Sequence, residues 1–266
     1  MKTDPEEVKQ EVDSLTPFDP QILPKSFSAA IYGARRQGKT TILRDLVYQL
    51  RDRFDIVLVF STTAMLYRET DFSFVPEKNF IDHLDEELIQ NILDRRHLVL
   101  EQKLDVKLDR MLILLDDIIS EKNVFHSRVL SALFSKGRHY GEFSVVILTQ
   151  HATAINPLIR RNLDLSVVFY PEASSTREII SKEYLSLKDW STGSEILKLA
   201  TSAEFAALAI IRNPAARAYN EKAFTYFSTL HEKKFRIRGI FRRGAPINPS
   251  IGNKKFNIAF GEEGIN

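Results

Sequence analysis

A doubly wound α/β fold with a mainly parallel sheet follows from three features of this sequence. Short, almost wholly apolar runs rich in β-branched residues recur along it, as in strands whose sheet is covered on both faces. Between them lie segments with apolar residues at helical spacing, so strand and helix alternate in the way that builds crossover-connected parallel sheets. Hydrophobic residues make up 44% and charged residues 27% of the 266-residue chain, enough apolar matter for one large core.

In chain order, residues 1–25 are polar and punctuated by Pro5, Pro17, Pro20 and Pro24, and read as an N-terminal arm or linker. A strand over 27–32 enters a glycine-containing loop, and a helix follows over about 39–51. FDIVLVFS (54–61) is a second buried strand. Residues 86–106 read as a helix through Leu88, Ile92, Leu93, Leu98 and Leu100, and 111–117 as a third strand ending in two carboxylates. A helix over 124–135 and a Gly-bounded turn at 136–141 lead to strands at 144–150 and 165–170. Helices at 174–187 and 194–201 and a sixth strand at 205–212 complete a domain of residues 26–232, with a basic tail at 233–266.

Several function classes are excluded early. With no cysteine there are no disulfides, thiolate metal sites or cysteine nucleophiles, which fits a reducing intracellular setting. No apolar run is long enough to span a bilayer, and the acidic start does not read as a secretion signal. The histidines show no metal-ligand spacing. Net charge is only +2, but it is segregated. Asp4, Glu6, Glu7, Glu11 and Asp13 make an acidic head; Lys233, Lys234, Arg236, Arg238, Arg242, Arg243, Lys254 and Lys255 make a basic tail.

The chemistry is carried by Gly33-Ala34-Arg35-Arg36-Gln37-Gly38-Lys39-Thr40, a full match to G-x-x-x-x-G-K-[ST], followed by Thr41. The glycines allow backbone conformations and approaches that a Cβ blocks. The loop N–H groups converge on a phosphate at the positive end of the following helix. Lys39 supplies charge to the β and γ oxygens, and the Thr40 hydroxyl is a hard ligand for Mg2+. The motif sits where it must, after a strand and before a helix, so the chain reads as a P-loop NTPase with ATP and Mg2+ as cofactors.

Asp116 and Asp117 end an apolar strand, the Walker B arrangement that places carboxylates in the crevice where α/β sheets bind ligands. Asp116 is the metal partner in this reading, and Asp117 orients or deprotonates the attacking water. Gln150, closing the next strand, is placed to reach the γ-phosphate or that water. The Asn-Lys-x-Asp that reads guanine in GTPase switches is absent: Asn253-Lys254 is followed by Lys255 and Phe256, which favours ATP.

The order GARRQGKTT, LILLDD and SKGRHYGEFSVVILTQHATAINPLIRRNLDLSVVF closely resembles the DNA-packaging ATPases of poxviruses and other large DNA viruses, with virophage and polinton-like relatives, in the FtsK/HerA superfamily. The resemblance covers about residues 26–212 and is most specific from Gly137 to Phe169. It implies a RecA/ASCE-like homo-oligomeric ring motor that drives double-stranded DNA into a preformed capsid, working at a viral assembly site in the host cell interior or in the virion, with capsid or inner-membrane proteins of a virion as partners. It places Lys39 and Thr40 at phosphates and Mg2+, Asp116 and Asp117 in the Walker B roles, and Gln150 as sensor. Arg138 matches the proposed arginine-finger position, with Arg160 second. Many motors of the superfamily carry Asp-Glu where this chain has Asp116-Asp117, so a shorter Asp117 acts through a water.

The tail reads three ways: a DNA-contacting segment, an edge strand with charges outward, or a dock for a capsid or other partner. Other readings are a conjugation or chromosome-processing motor of the superfamily and an NTPase switch that moves no DNA.

Overall fold

Central β1 (Ser28–Tyr32) organises an eight-stranded sheet with β2 (Ile56–Ser61), β3 (Phe80–Ile81), β4 (Met111–Asp116), β5 (Phe143–Thr149), β6 (Leu165–Val168), β7 (Ala207–Ile211) and β8 (Ala223–Tyr226), in the order β3-β2-β4-β5-β1-β6-β7-β8. β1 to β6 pair in parallel; β7 and β8 each run antiparallel to the strand before them. This computed structural model describes residues 5–105, 107–118, 127–150, 152–228 and 234–241. The expected doubly wound, mainly parallel α/β fold is present, and the six expected strands are β1, β2, β4, β5, β6 and β7.

Both faces are dry, which is why these strands read as continuous apolar runs rather than alternating ones. On one face Ala29, Ile31, Val57, Val59, Leu112, Leu114, Val146 and Leu148 meet Ile42, Leu43, Leu46 and Val47 of α2 (Lys39–Gln49). On the other, Ala30, Tyr32, Leu58, Phe60, Ile113, Leu115, Val145 and Ile147 meet the remaining helices. These are α1 (Pro5–Asp13), α3 (Glu86–Glu101), α4 (Arg128–Lys136), α5 (Pro157–Arg160), α6 (Ser174–Ile179) and α7 (Trp190–Ala200). Asp85 caps α3 by accepting from the Leu88 N–H at 2.9 Å, with Glu86 and Glu87 at the positive helix end; Ser127 caps α4 in the same way at 3.0 Å. Past Ile179 the helix continues as a π-turn, Ile180–Tyr184, from which the Tyr184 hydroxyl meets that of Tyr32 in β1 at 2.7 Å. Of the expected helix at 124–135, residues 124–126 lie outside the described residues.

Both ends of the chain pack onto the sheet domain. Residues 5–25, read as an arm or linker, form a layer on it. Val8, Val12 and Leu15 are buried in the core with α7, the Tyr219 hydroxyl donates to Glu11 Oε2 at 2.9 Å, and Phe18 and Thr225 join the segment to β8. Proline spacing marked this stretch as irregular, while its short i, i+4 apolar pair gains a helix only by docking. The tail is likewise partly built in. Ile237 is 5% exposed, its N–H bonds the Phe74 carbonyl at 2.9 Å, and Phe235 stacks on Phe74 at 5.0 Å. Buried Asn79 donates to the Val57 and Gly239 carbonyls and accepts from the Phe241 N–H, clamping the segment along the β2 edge that two-residue β3 leaves open. Lys234, Arg236 and Arg238 alternate outward, which is the edge-guarding pattern. Lys233, Arg242, Arg243, Lys254, Lys255 and Phe256 lie outside the described residues.

Entry to β2 and β4 is held by one ion pair. Arg110 donates to Asp55 through Nη2 (2.7 Å), Nε (3.0 Å) and its backbone N–H (2.9 Å). These bonds hold the Asp55 carboxyl below the ordinary aspartate value. Its stabilisation is therefore fully present above the unfolded-state pKa and is lost as pH falls through the lower folded one. Because both groups are a third exposed, the contribution is at most about 1 kcal/mol. Thermal melts of Asp55→Asn should lie about 2–4 °C below wild type at neutral pH. The gap should close as the buffer is taken down through the acidic range; a gap independent of pH would exclude this cause.

Candidate active site

The strand order sets the site before any side chain is considered. From β1 the chain winds one way through β2 and β4, and later crosses to β6 on the other side of β1. The crevice at the C-terminal ends of β4, β5 and β1 is thus a topological switch point. Gly33, leaving β1, donates its N–H to the Thr149 carbonyl at 3.1 Å, which ties the phosphate loop to the end of β5. Gly38 opens α2 at φ +99°, a left-handed conformation that favours glycine. A Cβ on Gly33 would stand 2.9 Å from Cδ2 of Phe169, the residue after β6. Within the loop, Gln37 Oε1 accepts from the Ala34 N–H at 2.6 Å and its Nε2 donates to the Tyr170 carbonyl at 3.2 Å, so the crown formed by Ala34, Arg35 and Arg36 is held open by a side chain.

Lys39 Nζ donates to the Gly33 and Ala34 carbonyls at 2.8 and 2.9 Å, which curls it over the loop. Burial lowers its pKa, an effect that the Asp116 and Asp117 carboxylates at the end of β4 oppose. Asp116 ends β4 opposite Ser61, the last residue of β2, whose buried hydroxyl donates to Asp116 Oδ2 at 3.2 Å. Burial raises the Asp116 pKa to about 6, with neighbouring Asp117 adding to it and Ser61 and Lys39 opposing. Such a carboxylate is held ready for a cation. Asp117 follows at φ +52°, and Arg36 in the loop stands at +66°. Backbone strain of this kind persists where the surroundings impose it. Gln150 is exposed directly after β5, between the ends of β4 and β1.

The chemistry of this donor set fits a Mg2+-nucleotide: the N–H groups opening α2, an ammonium, the Thr40 hydroxyl beside it, and a strand-end carboxylate fixed by Ser61. Thr41 is exposed at the next position. Among the described residues no cluster of His, Cys, Asp and Glu offers an alternative metal site.

The two candidate arginines are not in this crevice. Arg138 lies in the turn Gly137–His139 that precedes β5, whereas the loop is tied to the other end of that strand; seven residues of strand separate them, about 20 Å. Its side chain lies outside the described residues. Buried Arg96 of α3 braces the turn, donating to the carbonyls of Gly141 and Asp109. Arg160 is 8% exposed and fully engaged in its own chain: Nε and Nη2 bond Glu183 at 2.9 and 2.8 Å, and Nη1 bonds the Ile155 carbonyl at 2.6 Å.

Ser61, Arg96, Phe169 and Phe205 are not singled out by the sequence. Phe205, in the turn before β7, is 51% exposed at φ +60°, and its Cδ1 lies 3.1 Å from where a Gly38 Cβ would be. A large apolar residue in a left-handed turn carries no local signal of its neighbours; only the path of the chain through β6 and β7 brings it to the loop.

The sequence profile of the family described as Poxvirus A32 protein matches residues 17–213. Uncharacterized protein 075L of Invertebrate iridescent virus 6 is 30% identical over 166 residues, 59% of this chain and 62% of its own length. Uncharacterized protein 088R of Invertebrate iridescent virus 3 is 27% identical over 156 residues, 58% and 57% of the two chains. The chain thus spans roughly three-fifths of these relatives, at 62% and 57%. Among solved structures, the genome packaging NTPase B204 of Sulfolobus turreted icosahedral virus 2, in complex with ATP-gammaS, has a TM-score of 0.54 at 14% identity, over 78% of this chain and 100% of that one. The pCW3 conjugation coupling protein TcpA has a TM-score of 0.55 at 16% identity, over 79% and 68%. At these identities the likeness is one of fold, that of P-loop NTPases.

If Arg160 is a structural brace, Arg160→Ala and Glu183→Ala should each lower stability by about 1–3 kcal/mol, and the double variant by clearly less than the sum. Equilibrium urea unfolding reads this. Unchanged stability in Arg160→Ala would return the residue to the finger candidates.

Proposed function

The chain belongs to the poxvirus A32 protein family, and on that premise we propose that it is an ATP-hydrolysing motor that packages double-stranded viral DNA. The observation that carries the catalytic half is the convergence of Lys39, Asp116 and Asp117 on the phosphate loop at the sheet's switch point. The fold is shared with a genome packaging NTPase and a conjugation coupling protein alike, so family membership rather than fold favours packaging over conjugation.

In this reading the loop N–H groups and Lys39 cradle the β- and γ-phosphates, and Thr40 and Asp116 hold Mg2+, which when bound neutralises charge on the phosphate oxygens. Asp117 and Gln150 orient the attacking water. Arg138 serves a neighbouring subunit in this reading, because its own loop is a strand's length away. The outward Lys234, Arg236 and Arg238 offer DNA a sequence-independent contact. Phe205 supports a further role: the carboxylates occupy the β4 side of the loop, leaving the nucleoside the β6–β7 side, where this exposed ring stands ready for the base to stack on it.

ATP turnover should rise on addition of long double-stranded DNA and vanish in Lys39→Ala. Asp117→Asn should bind Mg-ATP and hydrolyse it very slowly. Arg138→Ala should be inactive alone and regain part of its activity when mixed with Lys39→Ala subunits. Turnover indifferent to DNA would favour a switch over a motor, and mixed oligomers without recovery would remove Arg138 from the trans role.

The ring of Phe205 is tested by comparing two ligands. Phe205→Ala should weaken ATP binding by about 1–2 kcal/mol, five- to thirtyfold, and leave tripolyphosphate binding unchanged. An equal loss for both ligands would show that the ring only braces Gly38.

A further inference from the structure

In the Ile159-Arg160-Arg161-Asn162 element one arginine takes no part in the proposed ATPase chemistry. Arg161 is exposed and lines a cavity of about 350 Å3 at the edge of the sheet opposite the phosphate loop, where β6 begins and β7 ends. Arg212, just after β7, and Lys222, just before β8, line the same cavity together with Ser166 and Ser186.

The charges in this wall do not balance. Its single carboxylate, Glu183, is consumed by the bidentate bond to Arg160. Among the described residues none of Arg161, Arg212 and Lys222 is in an ion pair: Arg212 Nη1 donates to the Arg161 carbonyl, and Lys222 Nζ donates to Ser186 Oγ at 2.7 Å. Lys222 is only 9% exposed, and burial alone depresses its pKa. A buried ammonium bonded to a hydroxyl, in a cavity lined by two further cations without carboxylate partners, is costly unless an anion completes the site. Ser186, whose hydroxyl meets it, stands at φ +61°.

We propose that this cavity binds a phosphate group between Arg161, Arg212 and Lys222. A tetrahedral oxyanion presents several acceptors, which the guanidinium and ammonium N–H groups lining the cavity can satisfy together. The cavity is larger than a bare phosphate, so a backbone phosphate of a nucleic acid fits as well as a free one. The site lies on the far edge from the loop, and it stands whether or not residues 33–40 bind nucleotide.

The test uses two chains, both carrying Lys39→Ala to silence the loop, one of them also carrying Arg161→Gln and Arg212→Gln. Inorganic phosphate is titrated by calorimetry, and a short mixed-sequence duplex by fluorescence anisotropy over a range of salt. The double substitution should weaken phosphate binding at least about tenfold. If duplex binding falls too, and the slope of log affinity against log salt shrinks by about 2, the source is the DNA backbone, each lost contact contributing about 0.9. If only the phosphate titration changes, the source is a small phosphate. Neither titration changing overturns the site. Since Lys39→Ala is common to both chains, the comparison is independent of nucleotide binding at the loop. Should the double variant melt early, Arg161→Gln alone carries the comparison.

Discussion

Parallel pairing of β4, β5 and β1 in a single register is the constraint on which the rest of this structure depends. It sets Asp116 against Leu148 and Tyr32 against Thr149, so that three strands end at the same level and their next residues open on one crevice. The Gly33 N–H to Thr149 carbonyl bond extends that ladder by one step into the loop. Slipping β4 by one residue would exchange its two faces and turn the carboxylate away from Lys39.

The crevice is built from strained and charged parts whose cost falls on the surrounding core. Arg36, Asp117 and Phe205 all have positive φ around it, and Asp116 and Lys39 are both shifted toward their neutral forms by burial. A cation-phosphate pair bound there would reverse that balance by supplying each with a countercharge. The dry faces of β1, β2, β4 and β5 hold these groups in place without help from ligand.

The two edges of the sheet divide the work. The phosphate loop, Asp116 and Asp117 sit at the C-terminal edge; Arg138, its brace Arg96, the Arg160–Glu183 pair and the cationic cavity sit at the other.

Much was legible in the sequence because it depends on local order. The strand–loop–helix at Gly33–Thr41 needs glycines and a lysine at fixed spacing, and Asp116-Asp117 needs only an apolar strand before it; both motifs declare themselves within a dozen residues. Central strands buried on both faces announce themselves as apolar runs, so β1, β2, β4, β5, β6 and β7 were all anticipated. The tertiary structure alone decided matters of non-local contact. α1 and the 235–241 segment become part of the fold by burying Val8, Val12 and Ile237 against residues far away in the chain. The two-residue β3 and the edge strand β8 take their form from their partners. Ser61 on Asp116, Phe205 on Gly38 and Arg160 on Glu183 join residues 55, 167 and 23 positions apart. No local pattern encodes which distant group a side chain will meet; only closure of the sheet brings those pairs together.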